Sequence, residues 1–336
     1  MTASSQTPPS PSRKKFWLLG AGVIVVIAVY TAVWFYIANE AKARLVAALD
    51  LLEPNGISVK CPDIDIRGYP FRIGLFCSGI SVDDHRNGIS GEFGALRSAA
   101  QIYDPSHFVW EIDAPAVVRT TAGLTLSAEW AKLQSSLRLN LTGLTESSTV
   151  TDGLKTVLVT NQTGNTINFD AAHTESHLRR NNADLDAAIL IETATAALKD
   201  QPPLLPPLST SLDVTFTGKA GVLDGSDDMH LQGTAGTLHR LIADAGEGRV
   251  ITLSGPFSFD DEGFLSGQLK VDIENINAWR ETLKQALPDL AKTIDTAGNM
   301  LTALSGDAKV SVDLTVDRGK VLVSGFIPIG KIPPIR

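Results

Sequence analysis

Only two cysteines occur in the 336 residues, and both fall in one short stretch, CPDIDIRGYPFRIGLFC, residues 61 to 77. Their midpoint is Tyr69, inside the turn-forming group Gly68-Tyr69-Pro70. Apolar residues alternate on both sides, Val59, Ile64 and Ile66 before it and Phe71, Ile73 and Leu75 after it. A hairpin folded about Tyr69 would set Cys61 opposite Cys77. Directly opposed antiparallel residues have Cα atoms roughly 4.5 to 5.5 Å apart, within reach of a disulfide. Two other readings stay open from the sequence: a pair of buried structural thiols, and a zinc site whose remaining ligands stand at no recognisable spacing. A disulfide would require an oxidising compartment.

A second candidate for chemistry is His173-Thr174-Glu175-Ser176-His177. On a helix the two imidazoles would share a face and could hold one metal ion; on a strand they stand about 13 Å apart, too far for one ion. The alternation around them favours a strand, and with it two surface histidines. The acidic turns at Asp227-Asp228 and Asp260-Asp261-Glu262 lack the spaced oxygen ligands of a calcium loop. There is no G-x-S-x-G, H-E-x-x-H, phosphate-binding loop or G-x-G-x-x-G after a strand. No catalytic, cofactor-binding or metal-binding residue is therefore expected, nor any cofactor. The chain is read as a non-enzyme, with catalysis by an unfamiliar arrangement as the remaining alternative.

The elements that must carry these residues begin with a long apolar segment. Arg13-Lys14-Lys15 precedes Phe16 to Ala38, 23 residues without a charge. As a helix this is about 34 Å long, enough to cross a hydrocarbon core of about 30 Å. The denser basic cluster lies on its N-terminal side, which predicts residues 1 to 15 in the cytoplasm and the rest of the chain exported. Trp17, Tyr30, Trp34, Phe35 and Tyr36 crowd toward its ends, as interfacial aromatics do. Ala41-Lys42-Ala43 suggests a cleaved signal peptide as the alternative, but signal cores run only about 7 to 15 residues. Three of the 29 Lys and Arg precede this segment, leaving 26 against 37 Asp and Glu after it, a net of −11. Nucleic acid is not an expected partner.

Beyond the apolar segment, Glu40 to Leu52 continues a helical spacing until Pro54-Asn55-Gly56 stops it. Alternation then prevails, with short acidic, glycine-containing turns before VITLSG, GFLSG and VLVSG in the last third, which predicts successive hairpins. Residues 184 to 199 read as either strand or helix. QPPLLPPL, residues 201 to 208, can continue neither. Trp279, Leu283, Leu287, Leu290, Ile294, Ala297, Leu301 and Leu304 recur at three- and four-residue spacing, one apolar face that Pro288 should kink or divide. Such a helix would cover the apolar face of a sheet, or lie over a groove able to admit an acyl chain.

The segments RGYPFRIGLFC, GALRSAAQIYDP and EIDAP carry a resemblance. Through Gly68, Tyr69, Pro70, Phe71, Arg72, Leu96, Arg97, Ser98 and Tyr103 the chain is similar to a family of single-pass envelope proteins of alphaproteobacteria, catalogued as domain of unknown function 2125. The likeness is specific over residues 13 to 120 and diffuse afterwards. In general style it is more distantly similar to AsmA-like envelope proteins. The family has no assigned activity, so no functional residue carries over. The resemblance implies an inner-membrane anchor and a β-rich periplasmic body.

The expectation is thus a mainly β protein with helices (α+β). Residues 1–15 form a cytoplasmic tail, 16–38 a transmembrane helix and 39–200 the N-terminal half of a periplasmic domain. Residues 201–208 form a proline-rich crossover. Residues 209–336 form a C-terminal meander with an amphipathic helix near 277–304. Two functions are expected as rivals: binding a lipid or another hydrophobic envelope component, and scaffolding or assembly of another envelope protein.

Overall fold

The computed structural model describes residues 13–335 except 142, 162–163, 204, 228–229 and 306–308. Of the tail expected at 1–15, residues 1–12 lie outside the described residues, as do Leu204 of the proline stretch and Asp228, while 13–15 belong to the first helix. Helix α1 (Arg13–Asp50) is one unbroken rod of 38 residues, and it is long and apolar enough to cross a membrane. It includes the segment expected to continue the span into solvent. A 3-10 turn at Glu53–Asn55 follows, and Gly56 at φ +78° releases the chain into the sheet.

The strands that follow all belong to one antiparallel sheet. Its first ten strands are pairs of half-strands laid end to end. These are β1 (Ile57–Lys60) with β2 (Asp65–Arg67), β3 (Arg72–Cys77) with β4 (Ile80–Asp84), and β5 (Ile89–Phe93) with β6 (Leu96–Gln101). The last two pairs are β7 (Asp104–Ile112) with β8 (Ala116–Thr120), and β9 (Leu124–Glu129) with β10 (Lys132–Asn140). Each pair lies beside the next, and β11 (Gly143–Thr160) is long enough to bond both β9 and β10. The breaks form a crease across the sheet. There Asp113 N–H donates to Ala95 O and Ala131 N–H to Asp152 O, both at 2.9 Å. From β11 the meander continues through β12 (Asn165–Asn181), β13 (Asp184–Leu198), β14 (Leu208–Phe216), β15 (Ala235–Asp244), β16 (Val250–Phe259) and β17 (Leu265–Glu274). Helices α2 (Ile276–Ala286) and α3 (Ala291–Ser305) interrupt it before β18 (Lys309–Asp317), β19 (Lys320–Val323) and edge strand β20 (Ile327–Lys331).

The ambiguous segment 184–199 is a strand: β13 bonds β12 and β14 along its length. The proline stretch 201–208 joins β13 to β14, which pair directly, so hydrogen bonding crosses the point where the sequence suggests two halves. The acidic turns join successive hairpins as expected, β15 to β16 and β16 to β17.

The cysteine hairpin is built differently from the expectation. Its register pairs Asp65 with Phe76, Ile66 with Leu75 and Arg67 with Gly74, so Cys77 would face residue 64, not Cys61. Pro62 has no N–H for the ladder, and the chain kinks there. The Asp63 carboxylate accepts from Ser78 N–H at 2.9 Å and Ser78 Oγ–H at 2.8 Å, which pins the kink. That swing brings the sulfurs to bonding distance, with the Cα atoms of Cys61 and Cys77 5.7 Å apart. The link ties the end of β1 to the end of β3.

Candidate functional site

In an antiparallel ladder directly opposed residues share a face, so the register traces rows across the whole sheet. One row runs Ser98, Trp110, Ser135, Thr149 and Ser176 from β6 to β12, rich in hydroxyls. It continues through Ile189, Leu212, Leu241, Leu253, Val271 and Val312 from β13 to β18, wholly aliphatic. A register shift in β15 leaves Leu238 and Leu241 both on this face although they are three apart. The same face carries Leu185, Ala187 and Val214, all buried. Ile191, Leu212, Leu241 and Leu253 are only half-buried, and Ile189 is 39 % exposed. The aliphatic face is therefore roofed in places and open between them.

The roof at the C-terminal end is α2 and α3. Ile276 and Val310 meet Val271, Val312 and Val323 in the tightest cluster of the described residues, with Leu301 packed on it. Trp279 is buried, and Leu283 and Ile294 are half-buried. The expected single continuous apolar face is broken, however: Leu287 precedes and Leu290 ends a 3-10 turn, Pro288–Leu290, and they are 47 % and 50 % exposed. Pro288 cannot continue the i to i−4 ladder, so two helices form and pack on each other. Lys284 meets Asp295 at 3.1 Å, and Arg280 Nη1 donates to Asn299 Oδ1 at 2.9 Å. Leu287 and Leu290 are left exposed at the turn that joins the pair. The Trp279 indole N–H, inside the roof, has no acceptor among the described residues.

The opposite face is polar where β11 to β15 cross. His173 and His177 lie on β12, as the strand reading expects, and Glu175 between them accepts from both, at 2.9 Å each. Asp152 takes the other nitrogen of His173 at 2.6 Å, and Ser148 that of His177 at 3.0 Å. Hydrogen bonds to Glu175 first, then to Asp152, raise the His173 pKa, and those same imidazoles lower that of Glu175. No group of three or more potential ligands among the described residues is placed to hold a metal. A shallow polar cleft of about 630 Å³ adjoins, bordered by His177, Arg179, Asp186, Thr215 and His239.

The motif residues gather in two places. At the crease Leu96 pairs with Ile112 and Arg97 with Glu111, and Arg97 grips Asp113 through both guanidinium nitrogens, at 2.8 and 2.5 Å. That ion pair holds the Asp113 carboxyl below its usual range. Ser98 Oγ accepts from Leu75 N–H at 2.9 Å, bonding β6 to β3. The second place is unforeseen by the sequence reading: the Gly68-Tyr69-Pro70 tip docks on α1. Tyr30 Oη donates to Pro70 O, Thr31 Oγ1 and Tyr69 Oη are 2.7 Å apart, and Trp34 Nε1 donates to Arg72 O at 3.1 Å. The Tyr69 ring stacks on Phe35 at 5.8 Å and meets Trp34 edge-on at 5.5 Å. Trp34 and Ala38 are each only 5 % exposed, and Thr31, Ala41, Leu45 and Leu49 are half-buried, on a helix otherwise exposed. Trp34 is thus sealed under the tip, where the sequence suggested an interfacial aromatic. Phe71 and Tyr103 stand out at 69 % and 79 % exposed.

A membrane-length helix docked on the tip of a long antiparallel meander defines the class: a β-rich body on an apolar N-terminal rod. The chain belongs to the domain of unknown function 2125 family, described as an uncharacterized protein conserved in bacteria, whose profile matches residues 34–333. The match thus runs well past residue 120, where the resemblance grew diffuse, and it begins at the tryptophan that meets the tip. No curated protein and no solved structure matches the chain.

Proposed function

We propose that the protein is a non-enzymatic, inner-membrane-anchored periplasmic protein, and that its aliphatic sheet face, under α2 and α3, holds the acyl chains of a lipid or another hydrophobic envelope component. The observation that carries this reading is the row Ile189, Leu212, Leu241 and Leu253, left partly open in a domain large enough to have closed over it. The unpartnered Trp279 N–H supports it, since an ester carbonyl would satisfy that donor. The cysteine pair suits an oxidising compartment, and Lys14 and Lys15 suit a cytoplasmic N-terminus.

The test uses the full chain reconstituted in vesicles containing a phospholipid with a photoreactive acyl chain. Labelled peptides from β14 to β17 are expected, and Leu212→Asp with Leu241→Asp should abolish them while leaving the far-ultraviolet circular dichroism unchanged. Labelling confined to α1 and its immediate neighbours would overturn the reading. A reporter fused after residue 60 should be active only outside the cytosol; cytosolic activity would remove the envelope assignment.

One observation favours the second reading, an assembly factor for another envelope protein. Strand β20 is a free sheet edge, with Phe326 74 % and Ile329 52 % exposed beside it, and such an edge can accept a strand from a partner. Crosslinking in cells from a photoreactive residue at Ile329 should then recover one recurrent protein; lipid adducts alone argue against it.

A further inference from the structure

We infer that the tip formed by Tyr69, Phe71, Ile102 and Tyr103 sits inside the lipid leaflet that α1 leaves on the side away from Lys14 and Lys15. This rests on the reading of α1 as a membrane span. A hydrocarbon core of about 30 Å takes about 20 helical residues. Counted from Lys15, the last charge before the apolar run, the far boundary falls near residue 35. The tip's contacts on α1 are Tyr30, Thr31, Trp34 and Phe35, at or below that boundary. A tip bonded to those turns cannot stand clear of the bilayer.

Three features of the tip suit that depth. Gly68 to Phe71 and Ile102-Tyr103 carry no charge, while Arg67, Arg72 and Asp104 flank them. Phe71, Tyr103 and Ile102 are 69 %, 79 % and 38 % exposed, and they are neighbours, because Ile102 N–H donates to Phe71 O at 3.1 Å. Four carbonyls along the tip are also paired within the protein. Gly68 O accepts from Arg72 N–H at 2.9 Å, Pro70 O from Tyr30, Phe71 O from Ile102 and Arg72 O from Trp34, as backbone away from water requires. The direction fits as well: Pro70 is bonded by Tyr30, and Arg72, farther from the tip on β3, by Trp34, farther from the cytoplasmic end of α1. The strand therefore runs down the helix toward the membrane.

Nitroxide labels on the full chain in phospholipid nanodiscs test this, at Phe71→Cys, Tyr103→Cys, Val25→Cys and Asn87→Cys in turn, with Cys61 and Cys77 left linked. Asn87 lies in the turn at the opposite end of the β3 and β4 pair, and Val25 in the middle of the span. Collision with a water-soluble nickel chelate should fall several-fold at 71 and 103 relative to 87, and collision with oxygen should rise toward the value at 25. Labels at 71 and 103 that meet the chelate as freely as the one at 87, while 25 stays protected, would overturn the inference and leave the span intact. Free access at 25 as well would instead overturn the reading of α1 itself.

Discussion

The side chains with the plainest chemistry act here as fasteners. Cys61 and Cys77 are 16 residues apart, and a loop of that size is worth on the order of 3 kcal/mol when closed, by the chain-entropy account. Cys77→Ser should lower the unfolding free energy by about that much, seen as a lower urea midpoint with a slope no smaller than that of the linked protein, and the intact non-reduced mass should show two hydrogens fewer than the free dithiol. His173 has a carboxylate on each ring nitrogen, and both are satisfied only when each nitrogen carries a proton. Its folded-state pKa is raised from 6.5. The stability it contributes is full below the unfolded value and fades as pH rises through the folded one. Unfolding free energy should therefore decline as pH rises past 6.5, and His173→Gln should flatten that stretch of the profile in denaturant titrations. The cysteine link was foreseeable from composition and a Gly-Tyr-Pro midpoint. Its route through Pro62 was not: opposed cysteines would set Ile66 against Arg72, whereas the observed register, three residues away, pairs Ile66 with Leu75 and leaves the link to the kink. The Glu175 bridge also escaped notice, since period-2 spacing on a strand is what puts 173, 175 and 177 on one face.

Among the elements, the docking of the tip on α1 is the contact most open to test. Trp34→Ala removes an indole that is 5 % exposed and donates to Arg72 O. Hydrogen exchange should accelerate at the amides of residues 71 to 75 and stay unchanged in β15 to β18. Gly68 holds φ +119°, and a Cβ there would meet Arg72 Cβ and O at 2.8 Å. Gly68→Ala should cost about 1 to 3 kcal/mol, read as a fall in melting temperature. The rod, the hairpins and the break at Pro288 were all visible as periodicity. The docking was not, because Trp34 in an apolar run looks the same whether lipid or a tyrosine ring covers it.

At the scale of the molecule, stability and openness occupy different parts of one surface. Val310 has no exposed surface, whereas Leu241 on the same sheet face is only half-buried. Val310→Ala should cost on the order of 2 kcal/mol and Leu241→Ala less than half of that in the ligand-free protein, measured by equilibrium unfolding. The fold class was legible because alternation survives in every strand. That most strands belong to one sheet was hidden by the prolines at 201–208, which resemble a boundary and are a hairpin connection. The strictly sequential pairing has a kinetic side. A ribosome releases the chain from its N-terminus, and each new strand finds its neighbour already formed as a template, so the meander can lengthen one hairpin at a time. Its loop-closure penalties stay small at every step, and the price of so large a sheet is that each growing edge is bare until the next strand arrives, the last of them, Ile327–Lys331, leaving its own outer edge uncovered.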